Sequence, residues 1–124
     1  MEDLIIKGTN RTPEVNFRKD GLIELRGVST LENPEPFYKP LINWIEEYVK
    51  NPADKTVVNL DMEYYNTSSQ MWIFQILELL RDLAKVKTDV ELNWYYFDEE
   101  MQELGEDLES LLHIKFNFVQ KHKE

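Results

Sequence analysis

The strictest constraint on how this chain can fold is a two-residue alternation that recurs in three separate segments. Val58, Leu60, Met62 and Tyr64 alternate with Asn59, Asp61 and Glu63. Val90, Leu92, Trp94 and Tyr96 alternate with Glu91, Asn93 and Tyr95, and Ile114, Phe116 and Phe118 with Lys115 and Asn117. Successive side chains of a strand point to opposite faces, so each segment reads as a strand with one apolar and one polar face. Strands of a parallel sheet covered on both faces would be apolar almost throughout. The pattern therefore predicts a two-layer α/β protein: a mixed sheet of about six strands, three helices on one face, and the other face largely wet.

The remaining elements fit that frame. Strands are expected at 4–7, 14–18 and 22–26, the last two joined by Lys19-Asp20-Gly21, since Asp-Gly between alternating runs favours a hairpin turn. Pro34, Pro36 and Pro40 punctuate the next stretch, and a helix is expected to run to about Lys50, with Phe37, Leu41, Trp44, Ile45, Tyr48 and Val49 at helical spacing. From there the chain alternates: strand 56–65, helix 68–85, strand 90–97, helix 98–112, strand 114–119. Such alternation argues for helical crossovers and parallel pairing. One domain over 1–120, with a short, solvated polar tail at 121–124, suits a chain of 124 residues.

Charge and composition narrow the function. With 24 acidic against 14 basic residues and a net charge of −10, the chain is a poor partner for nucleic acid or an anionic membrane surface. No segment approaches the roughly 20 apolar residues of a membrane-spanning helix, and the start Met1-Glu2-Asp3 lacks the basic lead of a signal peptide, so a cytoplasmic location is expected. No cysteine is present to support thiolate catalysis or a thiolate metal site. Four glycines and no phosphate-loop motif argue against nucleotide binding, and no cofactor is expected.

Of the two histidines, His113 stands at a helix–strand junction and reads as structural, and His122 lies in the tail. Seven acids between Asp98 and Glu109, with no base among them, lie mostly opposite the apolar stripe Met101, Leu104, Leu108 and Leu111. They read as a solvated helix face, with Asp98 to Glu100 favouring the helix start. Gly105 interrupts that helix at a cost of about 1 kcal/mol relative to Ala, which suggests a kink or a close approach there. Enzymatic use of the carboxylates would require two of them converging in a cleft.

The segment with functional promise is Tyr64-Tyr65-Asn66-Thr67-Ser68-Ser69, between an alternating strand and the most apolar helix. Small polar residues there could cap the helix, which requires only one of them. The sharper reading is a phosphorylation site, because free N–H groups and the positive end of the helix dipole accommodate a phosphate. Physical chemistry alone leaves both readings open. Of the adjacent strand residues Trp94, Tyr95 and Tyr96, Tyr95 is the one expected outside the core; Tyr65 and Tyr95 are candidate partner-surface residues.

Several blocks in order resemble the SiaC family of bacterial regulatory phosphoproteins: Ile6-Lys7-Gly8-Thr9 with Thr12-Pro13, Leu25-Arg26-Gly27 with Glu32-Asn33, Asn66-Thr67-Ser68-Ser69, and Asn93-Trp94-Tyr95-Tyr96 with Gly105-Glu106. The resemblance spans nearly the whole chain and implies a fold similar to STAS domains. It also implies phosphorylation of Thr67 by a partner kinase and dephosphorylation by a PP2C-type phosphatase. Asn66, Ser68 and Ser69 would support that site, with the two serines as secondary acceptors. The unphosphorylated form is implied to bind and regulate a diguanylate cyclase, with no catalysis by the chain itself. One departure is Ser29-Thr30-Leu31-Glu32-Asn33, where family members often carry Ser-Tyr-Pro-Glu-Asn. The competing expectation is a constitutive interaction scaffold in which Thr67 only caps a helix.

Overall fold

The computed structural model describes residues 1–86 and 89–122. The elements run β1 (Leu4–Ile6), β2 (Glu14–Phe17), β3 (Leu22–Ser29), α1 (Glu35–Tyr48), β4 (Lys55–Tyr65), α2 (Thr67–Val86), β5 (Asp89–Tyr96), α3 (Glu99–Leu112) and β6 (Asn117–Gln120). The six strands form one sheet in sequence order. The pairs β1/β2 and β2/β3 are antiparallel, while β3/β4, β4/β5 and β5/β6 are parallel. Parallel crossovers are almost always right-handed. Because all three step toward the same sheet edge, that handedness carries all three helices to one face, as the alternation predicts.

The core lies between those layers. Val15, Phe17, Ile23, Leu25, Val58, Leu60, Leu92 and Trp94 from the sheet meet Tyr38, Leu41, Ile45, Ile73, Ile76, Leu77, Leu80 and Leu108 from the helices. On the opposite face a row of side chains is joined across four strands. Asn59 donates to Glu24 (3.1 Å), Asn93 to Asn59 (2.9 Å) and Asn117 to Asn93 (3.1 Å), each pair directly opposed in register. One turn further along the pleat, Asp61 is buried between Arg26 (3.4 Å) and Lys121 (2.8 Å).

Several local features depart from the sequence expectation. Lys121 is not a solvated tail residue: its ammonium binds Asp61 and lies over the Phe97 ring, while its N–H donates to the Tyr96 carbonyl at 2.7 Å. Residues 123–124 of the expected tail lie outside the described residues. The last strand begins at Asn117 rather than at 114, because His113 ends α3 in the left-handed conformation and the Phe116 N–H bonds the Glu109 carboxylate at 2.8 Å. Helix α1 starts at Glu35 and takes in both Pro36 and Pro40. Pro36 falls in the first turn, where no N–H is needed, and Pro40 forgoes one helical bond. The hairpin turn forms as expected, with Gly21 at φ 115° and so close to the Lys55 carbonyl that no side chain would fit.

The most consequential departure is a bulge. The register of β3 against β4 slips between Gly27 and Val28, so that Gly27 faces Met62 while Val28 faces Tyr64. Glu63 is the extra residue, and beyond it the alternation inverts. Tyr64 turns outward, and Tyr65 turns into the core at 4% exposure. Tyr65 therefore cannot serve as partner surface.

Candidate functional site

The inverted end of β4 delivers the chain to the start of α2 in one fixed arrangement. The Asn66 N–H bonds the Ser29 carbonyl at 3.0 Å, extending the β3/β4 pairing to the helix entrance. The Asn66 side-chain oxygen then accepts from the Ser69 N–H at 3.0 Å, and its backbone carbonyl accepts from Gln70. Asn66 is thus the helix cap, and Thr67 is not.

The remaining polar groups fasten this corner to the loop after β3. The Asn66 amide donates to the Leu31 carbonyl at 3.1 Å, and the Ser68 hydroxyl donates to the same oxygen at 2.8 Å. Ser69 is fully buried. Its hydroxyl lies 2.8 Å from that of Ser29, which is 2.6 Å from the Tyr38 hydroxyl. Burial raises the Tyr38 pKa, with the bonds to Ser29 and Ser69 working in the opposite direction. Ser69 is accordingly inaccessible as a secondary acceptor, and Ser68, though exposed, has its hydroxyl committed to Leu31.

Thr67 differs from its three neighbours. It occupies the first helical position, its side chain is exposed, and among the described residues no hydrogen bond engages its hydroxyl. No acidic residue lies in the first turn of α2 to oppose an added negative charge. The corner can therefore receive a phosphate on Thr67 without breaking any bond that holds it together.

Tyr95 is half-buried on the sheet face away from the helices, opposite Val119, so the structure does not bring it together with Thr67. Two contributors were missed by sequence reasoning. Tyr38 carries no sequence signal, since Phe37 beside it fits the apolar stripe equally well. Ser29 could have been noticed as a small polar residue ending an apolar strand. At the loop departure of Thr30 and Leu31, the Thr30 N–H donates to the Arg11 carbonyl at 2.9 Å, the Leu31 carbonyl accepts from Asn66 and Ser68, and the Leu31 side chain packs against the core.

Among the described residues, neither His113 nor the acids between α1 and α2 form a comparable hydrogen-bonded corner. His113 is a helix C-cap with φ 56°. Glu46, Glu78 and Asp82 line a groove between α1 and α2, with no histidine or hydroxyl nucleophile among its lining residues. Among the described residues no group of three or more His, Cys, Asp or Glu is placed to hold a metal ion, and no helix is long and apolar enough to cross a membrane.

Comparison with known proteins decides the family. The SiaC family regulatory phosphoprotein profile matches residues 6–121. The chain belongs to the SiaC family. An uncharacterized protein of Pseudomonas aeruginosa strain UCBPP-PA14 is 30% identical over the full length of both chains. Among solved structures, apo-SiaC of Pseudomonas aeruginosa superposes with a TM-score of 0.84 at 29% identity, covering 98% of this chain and 99% of that one. SiaC crystallised in complex with the diguanylate cyclase SiaD, whose activator it is, has a TM-score of 0.82 at 28% identity, with 98% of this chain and all of that one covered. The SiaC fold is thus shared along essentially the whole chain.

Proposed function

We propose that this SiaC-family protein is a non-catalytic partner switch whose state is set by phosphorylation of Thr67. A partner kinase adds the phosphate, a PP2C-type phosphatase removes it, and the unphosphorylated form binds and regulates a diguanylate cyclase or a similar effector. The observation that carries this reading is the division of labour at the corner. Asn66, Ser68 and Ser69 perform the capping and anchoring, and Thr67 alone of the four presents an unengaged, exposed hydroxyl. A phosphate there adds roughly −1.5 to −2 charges beside the free N–H groups of the helix start. The complex of the related SiaC with SiaD supports a cyclase as the effector.

The test is affinity capture from cells of the source organism, with Thr67→Ala and Thr67→Asp proteins as baits and the captured material assayed for cyclic di-GMP synthesis. The proposal expects cyclase activity on the Ala bait and on the order of tenfold less on the Asp bait, a coupling typical of switches. Equal activity on both would overturn the switch, and none on either would overturn the cyclase assignment.

A further inference from the structure

Strand β6 forms one edge of the sheet, paired with β5 on one side and with no strand on the other among the described residues. The Lys121 N–H bonds the Tyr96 carbonyl of β5 at 2.7 Å. Alternate residues of a strand turn their main-chain groups to the same side, so Asn117 and Val119 also face β5, while Phe118 and Gln120 direct an N–H and a C=O outward. The outward N–H one step earlier, that of Phe116, is already taken by the Glu109 carboxylate at 2.8 Å. Edge strands are commonly blunted by lysine or proline. Asn117–Gln120 contains neither, and the ammonium of Lys121 just beyond it is drawn inward to Asp61.

The side-chain row on the open face reaches this edge with a defined polarity. A carboxylate only accepts hydrogen bonds, so Glu24 fixes the direction of the row: the amide nitrogens of Asn59, Asn93 and Asn117 point toward Glu24 and their oxygens toward β6. The outermost oxygen, that of Asn117, receives no donor among the described residues. Two residues along the same face, Val119 is 37% exposed. The helix face of the sheet adds a charge requirement. Glu109 reaches the edge at Phe116, and Glu106 and Gln102 share its face of α3 at spacings of three and four. That helix carries seven acids and no base between Asp98 and Leu112.

We propose that β6 takes up an extended basic segment of a partner protein as a seventh strand. Its backbone pairs with Phe118 and Gln120, a side-chain donor meets the Asn117 oxygen, an apolar side chain lies beside Val119, and the alternate residues carry lysine or arginine toward the acids of α3. Antiparallel pairing of β6 with β6 of a second copy would instead set one acidic α3 beside another. The proposal goes beyond the switch reading and does not depend on Thr67.

The probe is a fluorescein-labelled peptide, Lys-Val-Lys-Val-Lys-Asn-Lys, written for antiparallel entry, the pairing with slightly more stability per residue. Its asparagine falls opposite Asn117, its second valine opposite Val119, and its two middle lysines opposite Phe118 and Gln120. One counterpart has glutamate for every lysine; another is methylated on the backbone nitrogens of the two middle lysines, which removes the main-chain donors and keeps the charge. Anisotropy titrations of the full-length protein compare the three peptides, and then compare wild type with Gln120→Pro and Val119→Lys. Gln120→Pro deletes an outward N–H that serves no bond to β5, and both positions are exposed, so urea midpoints should stay near that of wild type. The expected result is saturable binding of the basic peptide, at least tenfold weaker binding of each counterpart, and at least tenfold weaker binding by each variant. No binding of the basic peptide would overturn the proposal. Equal binding of the methylated peptide would overturn it as well, reducing the contact to charge, and that comparison uses wild-type protein alone. Undiminished binding by Gln120→Pro would move the contact away from β6, and a concentration-dependent dimer of wild type lost in Gln120→Pro would assign the edge to a second copy; either would refute it.

Discussion

Substituting Asn66 and Thr67 separately distinguishes a helix cap from a presented acceptor, two roles that look alike in sequence. Asn66→Ala removes the side-chain oxygen that accepts from the Ser69 N–H and the amide that donates to Leu31. Loss of an asparagine cap costs about 1 kcal/mol. Loss of the second bond adds about 0.5 to 1 kcal/mol, at the lower end because Ser68 still occupies the Leu31 carbonyl at 2.8 Å. The sum is about 1.5 to 2 kcal/mol. Thr67→Ala removes an exposed hydroxyl that bonds nothing among the described residues, so its effect should stay within about 0.5 kcal/mol. Urea unfolding followed by far-UV circular dichroism reads the difference directly. With a slope of roughly 1 to 3 kcal/mol/M, Asn66→Ala should lower the midpoint by about 0.5 to 2 M and Thr67→Ala should barely move it, the slope being the same for both. If Thr67→Ala were as destabilised as Asn66→Ala, Thr67 would be structural and its assignment as a free acceptor would be wrong.

Three further outcomes follow from the packing. Tyr65 has its hydroxyl buried with no hydrogen-bond partner among the described residues, and burial, assisted by the negative charge of Asp107, pushes its pKa well above the ordinary value. Tyr65→Phe should therefore stabilise the protein by about 1 kcal/mol at pH 7. The folded pKa lies above the unfolded one, near 10, so stability is fully present below about pH 10 and is lost as pH rises and the unfolded tyrosine ionises. Urea midpoints at pH 8 and pH 10.5 should show a shallower alkaline decline for the Phe variant. At Gly105 an added Cβ would lie 2.5 Å from the Trp94 indole nitrogen, which itself donates to the Met101 carbonyl at 3.0 Å. Gly105→Ala should thus cost about 1 to 3 kcal/mol despite the better helix former, and shift the tryptophan fluorescence. Lys121→Ala leaves the buried Asp61 with Arg26 alone, and should raise amide exchange in Asn117–Gln120 more than in β4.

The architecture was legible because alternation in three strands reports one buried face directly, and helices connecting successive parallel strands then have one face to cover. What the sequence hid was the point where periodicity breaks. Continuing the alternation of β4 to its end puts Tyr64 in the core and Tyr65 outside, and the bulge at Glu63 reverses both. That bulge depends on pairing with a strand more than thirty residues earlier, near Gly27 at φ 118°, and no local pattern encodes it. The suspicion attached to Gly105 was sound, although the approaching group is the Trp94 side chain rather than a backbone. Lys121 looked like part of a polar tail because its partner, Asp61, is distant in sequence and faces the wet side of the sheet. At the functional corner the motif marked the place. The separation of Asn66 as cap from Thr67 as exposed hydroxyl required the hydrogen bonds themselves.

The measurement that bears most directly on the switch is the intact mass, with the modified residue mapped by fragmentation, of wild-type and Thr67→Ala proteins after incubation with ATP and extract of the source cells. One phosphate on wild type, located at Thr67 and absent from the variant, is the predicted result. Equal phosphate on both proteins, or none on wild type in an extract that phosphorylates other proteins, would contradict it.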